Sequence, residues 1–196
     1  MQVSELNLTA DTALIVVDVQ HDFLPGGALA VPAGDTIIPV LNRYIQRCRQ
    51  TGCPLFFTRD WHPADHCSFR DQGGTWPVHC VAGTAGAELS PELNRLPEDP
   101  VISKATERER DAYSGFDGTE LGATLQGLGV KQVLVGGLAT DYCVFHTVKD
   151  SLANGFMTYL LIDACRGVNL QPGDVDRAIA ELTAGGAQLL QLEARQ

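Results

Sequence analysis

Short apolar runs alternate with amphipathic stretches along most of this chain. Thr12-Ala-Leu-Ile-Val-Val-Asp18 is an unbroken apolar run ending in a carboxylate, as expected of a strand buried on both faces of a parallel sheet. From Asp35 to Thr51, Ile37, Ile38, Leu41, Tyr44, Ile45 and Cys48 recur at helical spacing, with Asp35 as N-cap and Gly52 as the stop. The same reading predicts strands at 54–60, 100–104, 132–136, 157–163 and 187–192. It predicts helices at 117–128, 140–154 and 174–184, with Gly129 and Gly155 closing the first two. Strands alternating with helices imply right-handed crossovers. The expected fold is α/β: a doubly wound, mainly parallel sheet of about six strands with helices on both faces. A length of 196 residues suits one domain, taken as residues 1–196.

Residues 61–98 break the pattern. They are rich in Gly, Pro, Trp and His and carry neither period. A stretch this long is more than a connection in a compact domain and is expected to be a functional loop.

Composition narrows the partners. The formal net charge is −10 and the pI about 4.8, so the surface repels phosphate backbones and nucleic acid is excluded as a partner. No basic amphipathic stretch or long apolar run suits a membrane. The first residues have neither the basic nor the apolar region of a secretion signal, so a cytoplasmic location is expected. Asn7-Leu-Thr9 matches the glycosylation pattern but means little without secretion. The six cysteines, Cys48, Cys53, Cys67, Cys80, Cys143 and Cys165, form no C-x-x-C pair and read as thiols.

The candidate chemistry gathers at strand ends. Asp18, Asp60, Lys104 and the Gly137-Leu-Ala-Thr-Asp-Tyr-Cys143 turn all fall at the carboxyl ends of predicted strands, where doubly wound sheets bind ligands. No Gly-x-Gly-x-x-Gly follows a strand and no phosphate-binding Gly-x-x-x-x-Gly-Lys-Ser/Thr occurs. Cys143 would stand in the first turn of a helix, where unpaired N–H groups favour thiolate and offer donors to an oxyanion. The same position suits a small buried hydrophobe. Asp18 with Lys104 could be a structural ion pair, but a carboxylate, an ammonium and a thiol on one sheet edge are also the parts of a cysteine hydrolase.

Three of the five histidines, His62, His66 and His79, lie between positions 62 and 79. In Asp60-Trp-His62, residues two apart in an extended chain project to the same side and can share one ion. Asp60, His62 and His79 are the first-choice ligands of a divalent metal, with His66 a fourth ligand or a neighbour of the site. Such donors suit Zn, Fe or Mn. The alternative is a set of loop histidines packed on Trp61 and Trp76.

Asp18-Val-Gln-His-Asp-Phe-Leu-Pro-Gly-Gly-Ala-Leu, Asp60-Trp-His62-Pro, Trp76-Pro-Val-His79-Cys80, Tyr113-Ser-Gly-Phe and Gly137-Leu-Ala-Thr-Asp-Tyr-Cys143 together resemble the nicotinamidase family of the isochorismatase-like cysteine hydrolases. The resemblance runs from about Leu14 to about Val168, in the family's order. It implies a catalytic triad of Asp18, Lys104 and Cys143 and a metal, zinc or else iron or manganese, held by Asp60, His62 and His79, with His66 a further ligand in some members. It implies a ring pocket lined by Phe23, Trp76 and Tyr113, an oxyanion hole of the Ala139 and Cys143 amides, and a cis peptide between Leu138 and Ala139. The implied reaction converts nicotinamide to nicotinate and ammonia through a thioester, the metal binding the ring nitrogen. The implied partner is that small molecule, with homo-oligomerisation left open. The alternative substrate is another small amide or ureido compound, whose hydrolases generally lack the metal cluster. Two positions depart from the pattern: His21 stands where the family usually has Asn, and Ala105 where it usually has Gly.

Overall fold

The computed structural model describes residues 8–192, so Asn7 lies outside the described residues. Strands β1 (Thr12–Val17), β2 (Leu55–Asp60), β3 (Val101–Lys104), β4 (Gln132–Leu138), β5 (Met157–Arg166) and β6 (Gln188–Leu190) form one sheet in the order β3-β2-β1-β4-β5-β6. Every neighbouring pair is parallel. The helices are α1 (Ile38–Thr51), α2 (Leu121–Gly127), α3 (Phe145–Ala153) and α4 (Asp174–Ala184).

Alternation along β1 separates two cores. Leu14 and Val16 pack with Leu41, Tyr44, Ile45 and Cys48 of α1. Ala13, Ile15 and Val17 pack with Leu121 and Leu125 of α2, Val148 of α3 and Leu182 of α4. Helices therefore cover both faces, but unequally. No α-helix joins β2 to β3, only short 3₁₀ turns at Arg70–Gln72 and Ala85–Ala87, and Cys80, Ala87 and Leu93 of the irregular segment help fill the core beside α1.

Local chemistry moved several boundaries. Asp35 does not cap α1; it lies in a 3₁₀ turn, Gly34–Ile37, and α1 opens with a proline in its first two positions, where the missing N–H is no loss. Gly52 stops α1 as predicted, at φ 76°. The expected helix at 117–128 begins only at Leu121. Hydrogen bonds from Phe116 N to Ser114 Oγ and from Thr119 Oγ1 to Gly115 O hold the preceding residues in turns. The helix expected from 140 begins as a wide π turn, Thr140–Val144, closed by Val144 N to Ala139 O at 3.1 Å. Such turns recur at functional sites.

Strand order reverses between β1 and β4, which opens a crevice at their carboxyl ends. Gly137 makes the join tight: at φ 135°, a Cβ there would lie 2.0 Å from Val17 O. Asp18 leaves β1 and Cys143 follows β4 at this point.

Candidate active site

Lys104 ends β3 and is 1% exposed, so its ammonium needs partners inside the protein. It has three. Nζ lies 2.9 Å from Asp18 Oδ2, 2.5 Å from Asp60 Oδ1 and 3.5 Å from Cys143 Sγ. Ala112 O, at 3.3 Å, accepts a further hydrogen bond. Thr58 on β2 donates to Asp18 Oδ1 at 2.6 Å, fixing the second carboxylate oxygen. Asp18, Asp60 and Cys143 bring one ligand atom each within 4.8 Å of one another. Asp18 stands at φ 49°, a left-handed conformation unusual for a residue with a side chain and a mark of functional sites.

The thiol is in a different state from the one its helix position suggested. Burial pushes Cys143 well above the ordinary thiol value, and the neighbouring carboxylates Asp18 and Asp60 add to the shift. Lys104 opposes them without prevailing. Cys143 therefore rests as a neutral thiol. Burial also raises Asp18, although Lys104 and the Thr58 hydrogen bond pull it down. Lys104 is held protonated well above the usual lysine range because its anionic neighbours outweigh burial. The arrangement is a protonated thiol beside a strengthened carboxylate base. The Leu138–Ala139 peptide is cis, as the resemblance implied.

Asp60 faces two ways. Oδ1 meets Lys104, while Oδ2 lies 3.6 Å from His62 Nε2 and 4.0 Å from His79 Nε2. The histidine tautomers follow from their other contacts. His62 Nδ1 is bonded to Ala105 O at 3.1 Å and His79 Nδ1 to Pro77 O at 2.8 Å. Carbonyls only accept, so both Nδ1 atoms carry the hydrogen and both Nε2 atoms are bare in the neutral rings. His62 Nε2 is buried with no hydrogen-bond partner. A bare, buried imidazole nitrogen beside a carboxylate oxygen, with the other ring nitrogen tied to a carbonyl, is the pattern of metal-ligating histidines. Burial lowers His79, which keeps it a neutral donor. Burial opposes protonation of His62 too, but Asp60 raises it, so a metal would compete there with a proton. Burial works against the Asp60 charge, yet Lys104 and His62 hold its carboxyl well below the carboxylate range. The donors fit a divalent cation at Asp60, His62 and His79.

His66 is not among them. Its ring stacks on His62 at 4.3 Å, with Nε2 bonded to Arg110 O and Nδ1 to Ser68. Both nitrogens are engaged away from the cluster, which makes His66 a neighbour of the site. Of the two departures from the family pattern, His21 is exposed. Ala105 is buried at φ 50° and supplies the carbonyl that fixes His62. The strain suits glycine better, but the carbonyl is delivered.

Sequence reasoning missed Gln20. Its fully buried amide donates to Asp60 O and Ala87 O, both at 2.8 Å, and accepts from Asp60 N at 2.8 Å, clamping the Asp60 backbone. It also missed Phe69, which sets its ring edge-on to His62, His66 and His79. Phe23, Trp76 and Tyr113 line one cavity with Asp60, His62, His79, Ala139 and Cys143, and Tyr142 joins them. Trp76 Nε1 donates to the Tyr113 hydroxyl at 3.0 Å, and Trp76 packs edge-on against Tyr142 at 5.0 Å.

The chain is similar to known proteins in sequence and in fold. The isochorismatase domain model matches residues 12–194. The chain is 40% identical to the nicotinamidase of Escherichia coli, over 92% of this chain and 94% of that protein. The pyrazinamidase of Pyrococcus horikoshii, solved in complex with zinc, superposes with TM-score 0.88 at 51% identity, covering 93% of this chain and 99% of that one. PnC1 from L. infantum, solved with nicotinate, superposes with TM-score 0.87 at 37% identity, covering 97% and 100%. The chain belongs to the isochorismatase domain family, within its nicotinamidase group.

Proposed function

We propose that this protein hydrolyses nicotinamide to nicotinate and ammonia, with Cys143 as nucleophile. The observation that carries the reading is the placement of the Asp18–Lys104–Cys143 group and the Asp60–His62–His79 group in contact at one aromatic-lined cavity. Asp18 takes the thiol proton as Sγ bonds to the carboxamide carbon. The Ala139 and Cys143 amides receive the oxyanion. Asp18 passes that proton to the nitrogen as the C–N bond breaks, releasing ammonia and leaving a thioester. Water then loses a proton to Asp18 and attacks the thioester, and the departing sulfur takes the proton back. Lys104 steadies Asp18 through both half-reactions. A divalent ion, zinc by analogy with the P. horikoshii structure, would be held by Asp60, His62 and His79 and supply a Lewis acid for the ring nitrogen. Phe23, Trp76 and Tyr113 enclose the ring. All six cysteines are free thiols, which accords with a cytoplasmic location.

The test is ammonia release from nicotinamide, with metal analysis of the same sample. Cys143→Ala should stay folded and lose orders of magnitude in kcat. Chelation should mainly raise KM. Near-normal turnover by Cys143→Ala would remove the mechanism, and an unchanged KM in metal-free enzyme would remove the metal's role.

A further inference from the structure

Ser68 lines the same cavity as Asp60, His62 and His79, and its hydrogen-bonding state can be read from two fixed backbone groups. His66 Nε2 lies 3.0 Å from Arg110 O, a pure acceptor, so Nε2 carries the hydrogen. Ser68 N–H donates to His66 Nδ1 at 3.3 Å, and a backbone amide only donates, so Nδ1 is bare. The Ser68 hydroxyl, 2.8 Å from that bare nitrogen, must then point its own hydrogen at His66. Its oxygen lone pairs remain, and among the described residues no protein donor meets them. Stacking on His62 and edge contact with Phe69 hold the His66 ring in place.

We infer that Ser68 is an oriented acceptor for water bound to the metal ion, and that His66 is the positioning residue that aims it. A hydroxyl free to rotate could turn its hydrogen toward the ion's water and repel it. Here the hydrogen is committed elsewhere, so the oxygen is an acceptor only. The inference rests on the metal reading given above and adds two of this chain's own residues to it. Partners of this kind outside the ligand set typically change metal affinity by about 10- to 100-fold.

The experiment titrates the metal-stripped full-length protein with zinc against a competing chelator, for wild type, Ser68→Ala, His66→Phe and the double variant. His66→Phe keeps an aromatic ring on His62 while removing both nitrogens. Ser68→Ala should weaken zinc binding at least about tenfold, with the thermal midpoint of the metal-free protein little changed. Because His66 acts through Ser68, the double variant should bind no more weakly than Ser68→Ala alone. Unchanged zinc affinity in Ser68→Ala would overturn the inference while leaving the metal site intact. Additive losses in the double variant would overturn the assignment of His66. A wild-type protein that binds no zinc would overturn the metal reading itself, and this inference with it.

Discussion

The ammonium of Lys104 lies 2.5 Å from Asp60 Oδ1, and this contact joins the thiol group to the metal-ligand group. Asp60 is thus a member of both. With both carboxylates ionised, Asp18 and Asp60 outnumber the one ammonium between them, and the buried cluster carries an excess negative charge. A divalent cation beside His62 and His79 would reverse that excess.

Lys104→Met keeps the length of the side chain and deletes its charge. Two buried carboxylates then face each other uncompensated, and breaking a buried pair of this kind costs about 3–5 kcal/mol. The variant should lose that much stability in urea unfolding at neutral pH, and lose activity as well. Acidification should narrow the gap to wild type, because protonating a carboxylate removes the repulsion in the variant alone. A variant equally destabilised at every pH would show that Lys104 acts through packing.

The raised thiol and raised carboxyl make separate pH predictions. Cys143 rests above the ordinary thiol value of 9.0, so the thiolate is scarce at neutral pH in the free enzyme. Inactivation by iodoacetamide should be slow at pH 7 and keep accelerating with pH beyond 9.0. Asp18 must be ionised to accept the proton, and burial raises it above 3.8. The acid limb of kcat/KM should therefore fall above pH 3.8, with activity lost as pH drops through it. Inactivation that plateaus below pH 7 would mean a preformed thiolate.

Asp18, Asp60 and Lys104 were legible in the sequence because each ends an apolar run, and strand ends converge in a parallel sheet. The roles proposed for these residues and for the aromatic wall came from the resemblance carried by the surrounding motifs, and the structure brings the same residues together. What stayed hidden was set by distant partners. His66 has the composition of a ligand, but the carbonyl that engages it belongs to Arg110, 44 residues on. The helix start before Cys143 argued for thiolate from local backbone alone, whereas burial and two carboxylates from other strands decide otherwise. The π turn at Thr140–Val144 has the same apolar spacing as the α-helix it leads into, so periodicity could not separate them.

Gln20 shows what such distant partners do. Its amide reaches Asp60 and Ala87, 40 and 67 residues away, and satisfies three backbone groups. Gln20→Ala would leave those groups buried and unpaired, at about 1–3 kcal/mol for each that water fails to reach. Stability should fall by about 3 kcal/mol. Because Asp60 loses its clamp, zinc affinity measured by chelator competition should fall as well. Loss of stability with unchanged zinc affinity would show that Lys104 and the β2 ladder alone hold the Asp60 carboxylate in place.

Trp76 and Tyr113 form the one direct hydrogen bond between the proposed ring-lining residues, Nε1 to hydroxyl at 3.0 Å. Trp76 is 8% exposed, so removing the hydroxyl leaves a largely buried indole N–H without its acceptor. Tyr113→Phe should cost on the order of 1 kcal/mol in ring placement, seen as a KM for nicotinamide raised several-fold with kcat within about twofold. Trp76→Phe breaks the same bond and also removes part of the wall that packs on Tyr142, so its KM should rise further. In the double variant the bond is lost only once. The combined effect on KM should therefore be smaller than the product of the two single effects. Strict multiplicativity would show that the two side chains hold the ring independently, and a fall in kcat with KM unchanged would move Tyr113 from binding the ring to the chemical step at Cys143.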